Sequence, residues 1–153
     1  MVNKRVLKMK IIQIGTGGWG KNHCRILSEF GVLSAICDMN YERAKEFGEK
    51  YNVNYYKTVE ELFEKEDFDA AFICTPTSTH SELASKLIEK KKHVFVEKPM
   101  TYLSEDGEKL VEEARKNKVI LTCGYIERFN PAVAHVKDYL KSKKFGDLIR
   151  LEF

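Results

Sequence analysis

Short apolar runs alternate with longer amphipathic stretches along most of this 153-residue chain. The run over 10–14 is short and ends at a cluster of glycines, so it predicts a buried strand. Further strands are predicted over 32–37, 68–74, 93–97 and 119–123. Helical spacing fills the intervals. It covers 19–30, with Ile26, Leu27 and Phe30 recurring on one side, and 41–51, with Ala44 and Phe47 inward. A short helix runs to about 65, one capped by Ser78 or Thr79 to about 90, and one capped by Ser104 to about 117. The short helix opens at Thr58-Val-Glu-Glu61, a capping box in which hydroxyl and carboxylate each satisfy a free backbone donor. Strands alternating with helices predict βαβ units. Right-handed crossovers then make a doubly wound parallel α/β sheet of Rossmann type, with helices on both faces, the expected fold.

The pattern changes after Gly124. A Tyr-Ile-Glu-Arg-Phe-Asn-Pro stretch leads into a helix over 131–140, with Pro131 acceptable in its first turn, and a strand is predicted over 147–153. We read residues 1–124 as one domain. Residues 125–153 are the linker, helix and first strand of a second α+β domain that is cut short.

Composition narrows the class. A hydrophobic fraction of 43% supplies a core. The 26 Lys+Arg and 23 Asp+Glu leave a dispersed net charge of +3, without the basic stripe of a nucleic-acid binder. No apolar run reaches the roughly 18 residues of a membrane span. The basic start lacks the apolar stretch and small-residue cleavage site of a signal peptide. Cys24, Cys37, Cys74 and Cys123 form no C-x-x-C pair and read as small buried hydrophobes with free thiols. The expectation is a soluble cytoplasmic protein with no metal site.

The chemistry is concentrated at the ends of the predicted strands. Gly15-Thr16-Gly17-Gly18-Trp19-Gly20 follows the first strand and opens the first helix, the context a G-x-G-x-x-G fingerprint requires. Gly15 permits the tight turn, Gly17 leaves room for a pyrophosphate, and Gly20 lets the helix lie close to the sheet. The helix N-terminus offers free N–H groups to the anion. Asp38 ends the next strand, 18 residues after Gly20, where a carboxylate accepts the adenosine ribose hydroxyls. It repels a 2′-phosphate, so NAD is expected over NADP. Arg43, five residues on, is in reach of such a phosphate but reads as a solvated helix charge. Glycines and Asp38 as mere turn formers, or a class I methyltransferase with the same pairing, are the competing readings. The strand over 68–74 runs into Cys74-Thr75-Pro76-Thr77-Ser-Thr-His80 beside the ligand crevice. Glu97-Lys98-Pro99 ends the strand over 93–97, placing a lysine where nicotinamide and substrate would meet and where its ammonium can polarise a substrate oxygen.

Together these motifs resemble the glucose–fructose oxidoreductase / inositol dehydrogenase (Gfo/Idh/MocA) family. The matching residues are Gly15-x-Gly17-x-x-Gly20 with His23, Asp38, the turn from Cys74 to His80, Glu97-Lys98-Pro99, and the stretch from Gly124 through Arg128-Phe-Asn-Pro-Ala132. The resemblance implies an NAD(P)-dependent oxidoreductase moving a hydride between nicotinamide and a sugar or polyol carbinol carbon, with Lys98 as the catalytic lysine. It implies cofactor contacts from the glycine turn, Thr16 and Trp19 included, and from Asp38. On the nicotinamide side it implies Thr75, Pro76, Thr77, His80, Glu97 and Lys98, with Arg128 near the interdomain cleft. The Ile-Glu-Arg-Phe-Asn-Pro-Ala version is similar to members that oxidise UDP-N-acetylhexosamines at the 3-hydroxyl. Family members continue into a second domain that supplies an open antiparallel sheet, an acid/base histidine and the homo-oligomer interface, so this chain is expected to bind dinucleotide but turn over poorly. The alternative is a non-catalytic dinucleotide-binding module. His23 reads as packing or local hydrogen bonding, His93 as structural, His135 as outside the chemistry, Lys90-Lys-Lys92 as a solvated helix end, and Tyr55 and Tyr56 as strand-edge packing.

Overall fold

A computed structural model describes residues 9–142, 144, 146–147 and 149–150. Elements follow in the order β1 (Ile11–Ile14), α1 (Gly20–Glu29), β2 (Leu33–Cys37), α2 (Tyr41–Tyr51), β3 (Asn54–Tyr56), α3 (Val59–Lys65), β4 (Ala70–Ile73), α4 (His80–Glu89), β5 (His93–Val96), α5 (Ser104–Asn117), β6 (Leu121–Cys123) and α6 (Pro131–Lys141). Two 3-10 turns, Thr77–Thr79 and Ile126–Phe129, precede α4 and α6. The sheet order is β3-β2-β1-β4-β5-β6, with every pairing parallel. The chain winds from β1 to one edge, then crosses back to β4 and winds to the other. That reversal opens a crevice at the carboxyl ends of β1 and β4.

Period-two alternation decides which residues meet which helices. Ile12 and Ile14 of β1, Ala35 and Cys37 of β2, Ala71 and Ile73 of β4 and Val94 and Val96 of β5 form one buried cluster. It is completed by Leu62 of α3, Leu83, Ala84, Leu87 and Ile88 of α4, and Leu110 and Ala114 of α5. On the opposite face Ile11 and Ala70 pack with Leu27 of α1. Each fully buried aliphatic side chain stabilises the fold by about 1.5–3 kcal/mol relative to exposure, so the first cluster dominates.

Several local expectations are corrected. α1 packs through Gly20, Cys24 and Leu27, leaving Ile26 and Phe30 exposed. The Thr58 hydroxyl accepts the Glu61 N–H, but the Glu61 carboxylate pairs with Lys65 instead of closing the box. Thr79 and Ser104 are not side-chain caps; α4 has no cap hydrogen bond, and Leu103 precedes α5. β3, unpredicted as a strand, adds the edge on which Tyr55 and Tyr56 sit. Lys92 is no solvated end: it donates to the Phe68 carbonyl and lies over that ring. The strand expected over 147–153 falls largely outside the described residues. Among those that are described, no helix is long and apolar enough to cross a membrane.

Candidate functional site

The glycine turn is shaped by collisions it avoids. Gly15 has φ +84°, and a Cβ there would lie 2.5 Å from the Cys74 carbonyl oxygen. A Cβ on Gly20 would lie 2.0 Å from the Gly15 carbonyl oxygen, so only glycine lets α1 start this close to β1. Gly17 and Gly18 differ: the first has Arg43 Nη1 at 3.6 Å as its nearest neighbour and the second nothing within 4 Å. Their missing side chains leave space in front of the α1 N-terminus rather than relieving a clash. Beneath the turn, buried Gln13 donates from Nε2 to the Gly15 carbonyl at 2.8 Å, while its Oε1 has no partner among the described residues. Sequence reasoning passed over Gln13; the signal was a polar side chain amid the apolar run that ends at the turn.

At the end of β2, Asp38 Oδ2 accepts from Thr16 N (2.8 Å) and Thr16 Oγ1 (2.7 Å), and Oδ1 accepts from Asn40 N (2.9 Å). Arg43 Nε stands 4.0 Å from the same carboxylate. Burial pushes the carboxyl's pKa up, but the Thr16 and Asn40 bonds and the Arg43 charge outweigh it and hold it below the usual carboxylate value. Arg43 is therefore not the free helix charge expected; it leans between Asp38 and Gly17. A cleft of about 510 Å³ opens here, bounded by Thr16, Gly17, Gly18, Lys21, Asn40, Arg43 and Phe47 among others. Trp19 is half exposed just before α1. An open glycine turn and a helix N-terminus on this cleft, with the Asp38 carboxylate held behind its Thr16 and Asn40 walls, fit the pyrophosphate and adenosine ribose of a dinucleotide.

The other half of the carboxyl edge is a linked set of turns. His23 of α1 bonds through Nε2 to Glu97 Oε1 at 2.8 Å, its ring edge-on to Phe72 and Phe95. Glu97 Oε2 accepts the Lys98 N–H at 3.0 Å. Gly124, at the end of β6, leaves room for that carboxylate; a Cβ there would lie 2.9 Å from Oε2. Glu97 is thus buried with both oxygens engaged, while Lys98 is exposed at the crevice rim. Cys74 Sγ belongs to the same corner, within 4.8 Å of the His23 and Glu97 ligand atoms. Burial pushes its thiol up to about 12, as it does those of Cys24 and Cys37. Thr75 and Thr77 are half-buried and Pro76 exposed on the turn after β4, with Thr75 Oγ1 bonded to Thr79 Oγ1 at 2.7 Å. His80 is buried, both ring nitrogens on backbone carbonyls. The Lys98–Pro99 peptide is cis. Arg128 is exposed on the 3-10 turn beyond β6.

Sheet order, glycine turn and Asp38 together define a dinucleotide-binding Rossmann domain. Residues 9–125 match the model of the Gfo/Idh/MocA oxidoreductase family with its NAD-binding Rossmann fold, and the chain belongs to that family. It is 36% identical over 141 residues to myo-inositol 2-dehydrogenase of Thermotoga maritima, covering 90% of this chain and 42% of that one. It is 30% identical over 141 residues to UDP-N-acetylglucosamine 3-dehydrogenase of Acidithiobacillus ferrooxidans, covering 92% and 43%. The WlbA dehydrogenase of Chromobacterium violaceum, crystallised with NADH and UDP-GlcNAcA, superposes with a TM-score of 0.84 at 26% identity over 91% of this chain and 41% of that one. The chain thus spans well under half the length of the relatives it matches.

Proposed function

We propose that this chain is the cofactor-binding part of an NAD-dependent dehydrogenase acting on a sugar, polyol or nucleotide-sugar hydroxyl. The observation that carries the reading is the juxtaposition, along one carboxyl edge, of an open glycine turn, an ionised Asp38 and an exposed Lys98 whose backbone is pinned by Glu97. When bound, NAD supplies the hydride acceptor. The backbone of Gly17 and Gly18 and the α1 N-terminus take the pyrophosphate. Asp38 keeps acceptor capacity for a ribose hydroxyl, since each carboxylate oxygen offers two lone-pair sites. Lys98 donates a hydrogen bond to the substrate oxygen and favours its alkoxide-like state. Dehydrogenation of polyols and nucleotide sugars by named relatives supports the substrate class, and a purely binding role has no use for an exposed lysine at that rim. Residues 125–153 are proposed to open a second domain; α6 buries none of its residues against the sheet domain, and the homo-oligomer interface is assigned to that further domain. Reduced thiols agree with a cytoplasmic setting.

Parallel titrations with NADH and NADPH, following quenching of Trp19, test the reading. The expectation is tighter binding of NADH, narrowed in Asp38→Asn, which removes the charge opposing a 2′-phosphate. Equal or tighter NADPH binding by the wild type assigns Arg43 the phosphate and overturns the NAD preference. No quenching by either overturns the cofactor site.

A further inference from the structure

β1, β4 and β5 lie side by side in the sheet, and three kinds of metal-binding group meet at their carboxyl ends. His23 comes in from α1, Cys74 directly follows β4 and Glu97 directly follows β5. One ring nitrogen of His23, Cys74 Sγ and one carboxylate oxygen of Glu97 all lie within 4.8 Å of one another. The imidazole and carboxylate are 2.8 Å apart, on side chains only 13% and 10% exposed. Donors held by one tetrahedral zinc ion stand roughly 3.3–3.7 Å apart, given bonds of about 2.0–2.3 Å. The present spacing reaches that geometry if the imidazole and carboxylate part slightly and the thiol closes by about an ångström at most.

Charge and donor type fit the same ion. A thiolate and a carboxylate carry two negative charges and a neutral imidazole none, so the set cancels a divalent cation in a place where an uncompensated charge is costly. The start of α1 contributes roughly half a positive charge, which the two full negative charges outweigh. One sulfur, one nitrogen and one oxygen suit zinc, whereas magnesium and calcium take oxygen shells. Burial pushes the Cys74 thiol up to about 12, so without an ion the sulfur keeps its proton. A metal takes that proton's place, and the proton leaves to solvent. Gln13 supplies an independent sign. It is fully buried, its amide lies against the Cys74 thiol, and its Nε2 donates to the Gly15 carbonyl. Its Oε1 has no donor among the described residues. A buried acceptor left unpaired is costly, and a water on an ion beside it provides the missing O–H. The sequence expectation of no metal site rested on the lack of a C-x-x-C pair; these ligands come from separate elements, where spacing along the chain does not show them.

We propose that His23, Cys74 and Glu97 form a zinc site at the carboxyl ends of β1, β4 and β5, with a water in the fourth position donating to Gln13 Oε1. The site does not depend on the dinucleotide reading, since the chain can bind the ion without the cofactor or the cofactor without the ion. Cobalt(II), a coloured substitute for zinc, is titrated into the reduced, metal-free wild-type chain, so no variant is required to fold. One equivalent should bring up a thiolate-to-cobalt charge-transfer band and the intense visible bands of a four-coordinate ion, both bleached by zinc. Cobalt spectra without the thiolate band mean adventitious surface binding and overturn the site. Zinc affinity is then read by competition with a chromophoric chelator for wild type, Cys74→Ser and Cys123→Ser. Cys74→Ser should bind at least about tenfold more weakly, while Cys123→Ser stays within about threefold. No loss in Cys74→Ser, or equal loss in both, overturns the assignment; if Cys74→Ser does not fold, the cobalt spectrum decides. The thermal midpoint of the wild type should also rise with zinc concentration, and a midpoint that stays put or falls counts against the site.

Discussion

At Asp38, burial and hydrogen bonding act in opposite directions on one carboxyl group, and the bonds win. The folded state therefore holds the carboxylate at a pKa below the value of about 3.9 it has in an unfolded chain. Such a group contributes stability that is fully present above the unfolded value and is lost as pH falls through the folded one. Urea denaturation of wild type and Asp38→Asn should accordingly show the wild type more stable at pH 7, with the gap closing below about pH 4. A gap that persists unchanged at pH 3 would show that the Thr16 and Asn40 bonds do not depend on the charge. The position of this residue was legible, at a strand end after a glycine turn, because that place follows from sequence spacing. The engagement of His80 and Glu97 was not. Their partners, Thr75, Pro99 and His23, are brought in by three separate elements, and nothing along the chain says which side chains will be buried where those meet.

On the helices, small residues decide the packing more than large ones do. Gly48 in α2 lies against Tyr55 of β3, and a Cβ there would fall 2.3 Å from Tyr55 Cδ1 and 2.8 Å from Tyr55 Cβ. Alanine at an open helix position gains up to about 1 kcal/mol over glycine, but overpacking costs about 1–3 kcal/mol, and here the clash reaches the inflexible root of the tyrosine. Gly48→Ala should lower the thermal midpoint and reduce stability by about 1–2 kcal/mol; a stabilised variant would mean that α2 can shift away from β3 freely. The same reasoning explains why, of the three residues read as the packed side of α1, Leu27 is buried and Ile26 and Phe30 are not. Counting large apolar residues selects Ile26 and Phe30, whereas the close approach at Gly20 favours the small Cys24 beside Leu27. β3 went unseen because three residues, one of them Asn54, carry no period. Longer elements with strong runs, such as β4, α5 and the helix after Pro131, were legible to within a few residues.

Across the whole molecule, polar chemistry gathers along one carboxyl edge, and exposed apolar surface gathers after β6. Phe129, Val133, Val136 and Tyr139 are all exposed, on the 3-10 turn and α6. Apolar residues grouped in this way mark a contact surface. Light scattering after gel filtration should find the chain self-associating as concentration rises, and Val136→Glu should shift it toward monomer without moving its thermal midpoint. A monomer at all concentrations would remove this surface from consideration. The strand order has a consequence for how the chain is made. Ile11 pairs with Leu33 on one side and with Ala70 on the other. A ribosome that has delivered β1, β2 and β3 has therefore made only half a sheet, in which β1, the strand buried along its whole length in the finished fold, stays unpaired along one side until β4 emerges. For that interval the nascent chain carries an open strand edge of the kind that captures other chains, and it is the return crossing to β4, more than any single side chain, that ends the exposure.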